Sequence, residues 1–291
     1  MGRTQVNYKT LFAQIQKAIG RTGNPPWLKP WTVTNGGPMN LATGKAYQGL
    51  NKLWLPMISG EQFFIGATQG FRHGAKLRKG SKAVSGWHYK PGQLIKVENE
   101  QGELETRLTS GKMSSFLVHP LSSWVSLGKL ENKLPQLEQQ QKPIANRKAL
   151  DIIDGYKMKP SISYMQNSAW YSPTLDSIGM PSRESFSSEP EFFSTLFHEC
   201  VHSTGHSDRL DRDLTTANMG TDSYSKEELI AEIGSMYLSS IAGINEKNSR
   251  QNSVSYLQAW LGRLEKDPTI LVWASSAAEK AVNHILGNEN S

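Results

Sequence analysis

Apolar residues recur at helical spacing in several stretches of the chain. Leu11, Ile15 and Ile19 share one face of a helix predicted over about residues 8–19. The same spacing predicts helices near residue 146 and over about 226–242, 254–264 and 270–286. Shorter runs alternate between apolar and polar residues from Trp87 to about Trp124, with turns at 91–92 and 99–102, and predict antiparallel strands. Strands are also predicted over about 159–164 and, irregularly, 169–181. The pattern indicates an α+β fold.

A strongly amphipathic helix is predicted just after Ser188. Ser188 with Glu191 forms a capping-box pattern, Pro190 falls in the first turn, and Gly205 is a natural stop. The apolar face of this helix consists of Phe192, Phe193, Leu196, Phe197, Cys200 and Val201.

This helix carries the run His198-Glu199-Cys200-Val201-His202, which has the form H-E-x-x-H. Positions i and i+4 lie on one helix face, so both imidazoles can reach a single ion. The spacing predicts a zinc site with His198 and His202 as ligands and Glu199 as the general base of a peptidase.

A catalytic zinc site has three protein ligands, and two residues are candidates for the third. Asp208 gives the metzincin spacing with aspartate in place of histidine. Glu228 resembles the ligating acid of gluzincins, with Glu232 one turn later available to support a ligating histidine. Glu228 is preferred because it explains a charged residue on the inner face of an otherwise apolar helix. Four residues remain open as oxyanion donors: Tyr171, His206, Tyr224 and Tyr237.

Charge divides the chain into two unlike halves. Residues 1–130 contain 17 Lys and Arg against 5 Asp and Glu, whereas residues 131–291 contain 15 against 21. Glu61 is the only acid in residues 1–97, so this half is suited to a polyanion. We therefore expect a domain over 1–130, a polar, Gln-rich linker over 131–145, and a second domain over 146–291.

Aromatic residues alternate with basic and amide residues in the first half, as single-stranded nucleic acid requires. Exposed bases stack on aromatic rings while cations pair with phosphates. The stacking candidates are Trp27, Trp31, Tyr47, Trp54 and Trp87. The polar contacts expected beside them are Lys29, Lys45, Asn51, Lys52, Arg72, Lys76, Arg78, Lys79 and Lys82.

Composition argues against several other classes. Cys200 is the only cysteine, so an intramolecular disulfide is excluded. We see neither an apolar run long enough to cross a bilayer nor the apolar core of a signal peptide. We expect a cytoplasmic protein without a membrane partner.

Several longer motifs closely resemble the ArdC-type antirestriction proteins of conjugative plasmids, a family that includes the N-terminal regions of TraC primases. The motifs run in a fixed order: PWLKPW, NLATGKAYQGLN, GAKLRKG, AWYSPTLDSIGMP, HECVHSTGHSDRLDR, YSKEELIAEIG and YLQAWLGRLEKD. The resemblance implies an N-terminal single-stranded DNA-binding domain and a zincin-like metallopeptidase domain. The family pattern fixes no acid at position 208, which further favours Glu228 as a ligand. Cys200 stands where an aliphatic residue is common.

These observations lead to one leading hypothesis. The protein binds single-stranded DNA and carries a peptidase-type centre with Zn²⁺, or another divalent ion such as Mn²⁺, and it protects incoming plasmid DNA from host restriction. A host restriction-system protein is then the expected target. The alternatives are a DNA-coating protein with a structural or vestigial metal site, and a protease that acts on DNA-bound proteins.

Overall fold

The computed structural model describes most of the chain between residues 38 and 288. The described ranges are 38–90, 93–98, 104–108, 112–134, 142–164, 168–186, 188–212, 222–244 and 269–288, with single residues at 13, 166, 214, 264 and 267. The helices predicted over 8–19 and 254–264 therefore lie outside the described residues, apart from Ala13 and Leu264, both helical.

Short strands and two helices build the basic half. The elements are β1 (Met39–Asn40), β2 (Lys45–Ala46), α1 (Leu50–Ser59), β3 (Phe63–Ile65), α2 (Ala67–Arg72), β4 (Lys76–Leu77), β5 (Val84–Lys90), β6 (Leu94–Glu98), β7 (Leu104–Leu108), β8 (Lys112–Pro120) and β9 (Trp124–Ser126). Five strands form a sheet in the order β2-β1-β3-β8-β5, in which only β1 and β3 run parallel. Two separate antiparallel pairs, β4 with β9 and β6 with β7, complete this half. The antiparallel strands predicted between Trp87 and Trp124 are confirmed.

The acidic half is mainly helical. Its elements are α3 (Lys142–Gly155), β10 (Ser161–Ser163), β11 (Trp170–Ser172), β12 (Ser177–Gly179), α4 (Glu189–Ser203), α5 (Asp222–Ala242) and α6 (Thr269–Leu286). The three strands form a sheet in the order β10-β12-β11, with β11 antiparallel to β12. The single irregular strand predicted over 169–181 is therefore wrong, because a turn at 173–176 folds it into a hairpin.

One hydrophobic core joins the two halves. Leu53 and Trp54 of α1 belong to the same buried cluster as Phe197 of α4, Leu229 of α5 and Ala278 of α6. A smaller core, which includes Leu41, Ile65 and Trp124, lies within the basic half alone. The main core therefore crosses the predicted domain boundary.

A polar contact fastens the start of α1 to α6. The Gly49 N–H donates to Glu279 Oε2 at 2.6 Å, and the Lys52 ammonium donates to Glu279 Oε1 at 3.1 Å. The same ammonium lies 5.0 Å from the ring centroid of Tyr237 on α5. Lys52, expected beside DNA, instead serves the contact between the halves.

The predicted linker covers residues 131–145. A 3₁₀ turn continues to Lys133, and α3 already begins at Lys142. Both predicted ends of the linker thus belong to regular elements.

In the part of the chain that the structure describes, no helix combines the length and apolar character needed to cross a bilayer.

Candidate metal centre

Helix α4 forms where the sequence predicts it and presents the H-E-x-x-H run near its C-terminal end. Ser188 Oγ accepts the N–H of Glu191 at 3.3 Å, as the capping pattern predicts. Phe193, Phe197 and Val201 are fully buried and fix the rotation of the helix against the core. His198 and His202, one turn apart, share a neighbouring face of the helix, where Glu228 of α5 lies beside both.

Three donor residues converge between α4 and α5. His198 Nε2 and His202 Nε2 are 3.1 Å apart. The carboxylate of Glu228 lies 3.5 Å from His198 Nε2 and 3.3 Å from His202 Nε2. Among the residues that the structure describes, this is the one set of three that could hold a metal ion.

The donor separations fit a divalent metal. Ligands at about 2.1 Å from a tetrahedral ion are separated from one another by about 3.4 Å. The closest approaches here bracket that value: 3.1 Å between the two Nε2 atoms, 3.5 Å from His198 Nε2 to Glu228 Oε2, and 3.3 Å from His202 Nε2 to Glu228 Oε1. Two imidazoles and one carboxylate are also donors that zinc and similar ions accept. The residues present therefore fit such a group, and Glu228 fits as the third ligand.

Carboxylates also lie beside the far nitrogens of both imidazoles. His202 Nδ1 is 3.3 Å from Glu227 Oε1. His198 Nδ1 is buried without a hydrogen-bond partner among the described residues, and Glu232 Oε1 lies 4.0 Å away. Glu232 thus lies where a supporting residue is expected, but beyond hydrogen-bonding distance. The sequence analysis missed Glu227, although an acid immediately before the candidate ligand was a signal.

The neighbouring carboxylates favour the protonated form of the His202 imidazole. Burial alone would lower the pKa of His202, but hydrogen bonds with Glu227 and Glu228 outweigh it and raise the pKa to about 10. Burial raises the pKa of Glu228, but hydrogen bonds with both histidines outweigh it and hold the pKa far below its ordinary value. A ligating histidine must be neutral, so a metal ion held at Nε2 would compete with the proton on His202.

The structure also places the candidate base, the alternative third ligand and two of the candidate oxyanion donors. Glu199 is buried and follows His198 on the helix. The Asp208 side chain is 77 % exposed and its carboxylate lies 3.6 Å from His206 Nδ1, outside the donor set, so Asp208 is the wrong alternative. The Tyr171 hydroxyl donates to Asp176 at 2.9 Å and accepts from Arg209 at 3.2 Å. Tyr237 is buried in the core.

Two of these oxyanion candidates stay open. His206 is partly exposed in the loop after α4. The side chain of Tyr224 lies outside the described part of the chain.

Two of the predicted stacking residues, Trp54 and Trp87, are not available to bases. Trp54 is 0 % exposed and donates from Nε1 to the Ser85 carbonyl at 2.8 Å. Trp87 is 3 % exposed and packs edge-on against Trp54. Stacking by these two tryptophans is wrong because both belong to the shared core.

Two further predicted DNA contacts have structural partners. Tyr47 is partly buried and stacks on Phe116, and burial raises the pKa of its hydroxyl to about 12. The Asn51 side chain accepts the Trp87 N–H at 2.7 Å and donates to the Trp87 carbonyl. Asn51 therefore joins α1 to β5 rather than facing DNA. Trp27, Lys29 and Trp31 lie outside the described residues.

The predicted phosphate-binding cations are exposed. This group consists of Lys45, Arg72, Lys76, Arg78, Lys79 and Lys82, and none of them forms an ion pair within the described residues. Phe71, which the sequence analysis missed, lies beside Arg72 and is 56 % exposed. Its signal was an aromatic residue directly next to a cation in the sequence.

Comparisons with known proteins cover both halves of the chain. Residues 5–116 match the model of the N-terminal domain of anti-restriction factor ArdC. Residues 152–277 match a zincin-like metallopeptidase model. The crystal structure of the antirestriction ArdC protein from the R388 plasmid, in its Mn(II)-bound form, superimposes with a TM-score of 0.71 at 27 % identity. The match covers 98 % of this chain and 99 % of that one. The chain belongs to the ArdC-type family.

The ArdC-type assignment confirms the α+β fold with an ArdC N-terminal domain and a zincin-like domain. The metal-free R388 structure matches with a TM-score of 0.68, covering 97 % of both chains. A relative named DNA primase TraC, from Escherichia coli, is 30 % identical over an alignment of 280 residues that covers 92 % of this chain and 26 % of the primase. This ArdC-type chain thus spans about a quarter of that relative. The Mn(II)-bound relative and the donor set together indicate a divalent metal in this family member.

Proposed function

We propose that this protein binds single-stranded DNA through its basic half and carries a metal-dependent peptidase centre that protects incoming plasmid DNA from host restriction. The observation that carries the proposal is the convergence of His198, His202 and Glu228 within 3.5 Å of one another. Zn²⁺ is the ion we favour, because two imidazoles and a carboxylate form one of its usual catalytic ligand sets. Mn²⁺ is the alternative.

The residues around the site supply the other parts of a hydrolytic centre. A bound divalent ion acts as a Lewis acid and makes water nucleophilic at neutral pH. Glu199 is the general base: it accepts the proton of the attacking water and passes it to the leaving amine. Strand β11 is an edge strand that pairs only with β12 among the described strands, and it can add an extended peptide. The chain itself thus offers a backbone edge for the substrate and a carboxylate that moves the proton.

The exposed cations support the DNA-binding part of the proposal. Arg72 is the last residue of α2, Lys76 lies in β4, and Lys79 follows β4. Phe71 lies next to Arg72 at the end of α2. The Phe71 ring rests edge-on against Trp124, with 6.0 Å between ring centroids. A Cβ added at the neighbouring Gly70 would lie 2.1 Å from the Trp124 ring, so the helix is held tightly in place. We propose Phe71 as a base-stacking residue.

A Phe71→Ala variant is expected to bind a dT oligonucleotide about 5- to 150-fold more weakly than the wild type, because stacking contributes about 1–3 kcal/mol per base. Fluorescence anisotropy at fixed salt measures the affinity. The matched control is Trp273→Ala, which removes an aromatic ring that is 49 % exposed on α6. Unchanged affinity of Phe71→Ala would contradict the stacking role. Lys79→Gln provides a second reading, since losing one phosphate contact lowers the salt slope by about 0.7.

Plasmid transfer into restricting cells tests the biological role. Cells carry the wild type, Glu199→Gln, or a Phe71→Ala, Lys79→Gln double variant, and conjugation is scored in recipients with and without a restriction enzyme. We expect protection with the wild type alone, and only in restricting recipients. Full protection by Glu199→Gln favours DNA coating over proteolysis. A benefit that is independent of the restriction enzyme favours a protease acting on other DNA-bound proteins.

A further inference from the structure

Arg212 lies in the segment that follows α4, and its guanidinium contacts both this helix and α5. Nη2 donates to the Val201 carbonyl at 2.9 Å, and Nη1 donates to Thr204 Oγ1 at 2.8 Å. The same guanidinium binds the Glu227 carboxylate with two bonds, from Nε at 3.0 Å and from Nη2 at 2.7 Å. Arg212 therefore ties the end of the helix that carries His202 to a side chain of the facing helix.

Glu227 stands between Arg212 and the candidate ligand His202. Its Oε1 receives the Arg212 bond and also lies 3.3 Å from His202 Nδ1. The next residue, Glu228, lies 3.3 Å from Nε2 on the other side of the same ring. Consecutive helix positions point about 100° apart, which explains how two neighbouring carboxylates reach opposite edges of one imidazole.

We propose that Arg212 is a positioning residue of the metal centre: it holds the Glu227 carboxylate against His202 Nδ1, so that His202 presents Nε2 to the ion. This inference rests on the proposed metal centre and adds a residue to it. A carboxylate that accepts Nδ1–H fixes the tautomer and orientation of a ligating histidine. A bidentate arginine, in turn, fixes the plane of that carboxylate.

Burial explains why Glu227 needs a partner besides His202. The side chains of Glu227 and Arg212 are 8 % and 11 % exposed, so water cannot replace the guanidinium. Without Arg212, the Glu227 carboxylate could turn towards a metal ion held at the site and compete with Glu228 as a ligand. The loss of Arg212 therefore changes both the affinity for metal and the geometry of the ligands.

Arg209 supplies the matched control, three residues earlier in the same loop. Its side chain is 3 % exposed, and its Nε donates to the Ser203 carbonyl at 2.7 Å, so it also fastens the end of α4. Its remaining partners are the Met158 carbonyl, Asp176 and Tyr171, and it contacts none of the three metal donors. Arg209 and Arg212 thus resemble each other in burial and in helix contact, and they differ in the link to His202.

Metal titration of the purified full-length protein tests the proposal, with Co²⁺ as a spectroscopic probe and Zn²⁺ in competition. Arg212→Met is expected to lower metal affinity about 10- to 100-fold and to shift the visible Co²⁺ spectrum. Arg212→Lys should recover part of the affinity. Arg209→Met should lower the thermal midpoint while leaving affinity and spectrum unchanged. Glu227→Gln, which is nearly isosteric, gives the same readings where Arg212→Met does not fold.

The outcomes separate this proposal from the metal centre itself. Equal affinities and spectra for wild type, Arg212→Met and Glu227→Gln would overturn the role of Arg212 alone. An equal loss of affinity in Arg209→Met would also overturn it, because a general loosening of α4 would then explain the result. A wild type that takes up no more metal than His202→Ala would overturn the metal centre and the role of Arg212 together.

Discussion

Glu199→Gln is expected to hydrolyse peptides about 10²- to 10⁴-fold more slowly than the wild type while binding the same amount of metal, because general base catalysis contributes rates of that size. The amide has the shape of the carboxylate but cannot accept a proton. Glu199 is 7 % exposed and lies outside the set of three donors, so its replacement leaves the ligands in place. A quenched fluorescent peptide library measures hydrolysis, and elemental analysis measures the bound metal.

A comparison with His202→Ala separates the loss of the general base from the loss of the metal. That variant should lose both metal and hydrolysis, whereas Glu199→Gln should lose hydrolysis alone. Undiminished hydrolysis by Glu199→Gln would contradict its role as general base. If the metal-loaded wild type cleaves no member of the library, the result favours a structural metal site and protection by DNA coating.

Trp54→Ala is expected to lower the free energy of unfolding by about 3–5 kcal/mol, the usual cost of removing a large aromatic side chain from a core. Trp54 is fully buried, packs edge-on against Trp87, and donates a hydrogen bond to Ser85. Its truncation leaves a cavity and an unpaired carbonyl. Urea unfolding followed by circular dichroism measures the change, with the exposed Trp273→Ala as control.

The same variant decides between the two roles of this tryptophan. A stacking residue at the surface would weaken DNA binding and leave stability nearly unchanged. The structure leads to the opposite expectation, with the whole unfolding transition shifted to lower urea. Because the main core includes residues of both halves, we also expect one cooperative transition rather than two.

Much of the acidic half could be predicted from local patterns. The helical spacing of Phe193, Phe197 and Val201 fixed both the position and the buried face of α4, and Ser188 fixed its start. The H-E-x-x-H spacing then placed two donors by helix geometry alone. Glu228 could be preferred over Asp208 because an acid on the apolar inner face of a helix needs a partner. Metal binding would supply that partner.

The basic half was harder, because composition does not say which side of an element faces the solvent. Trp54 and Trp87 have basic neighbours in sequence, yet tryptophan is usually well buried and both pack into the core. Phe71 escaped notice because phenylalanine is ordinarily a core residue. Arg212 and Glu227 are fifteen residues apart, and only the packing of the loop against α5 brings them together.

The contact between Gly49, Lys52 and Glu279 bears on how such chains can evolve. Because residues from both halves of the sequence form one core, neither half can be exchanged between proteins without exposing apolar surface on the other. We therefore expect the two halves to be inherited as a single block. The TraC relative fits this expectation: its much longer chain matches both halves in an alignment that covers 92 % of this sequence.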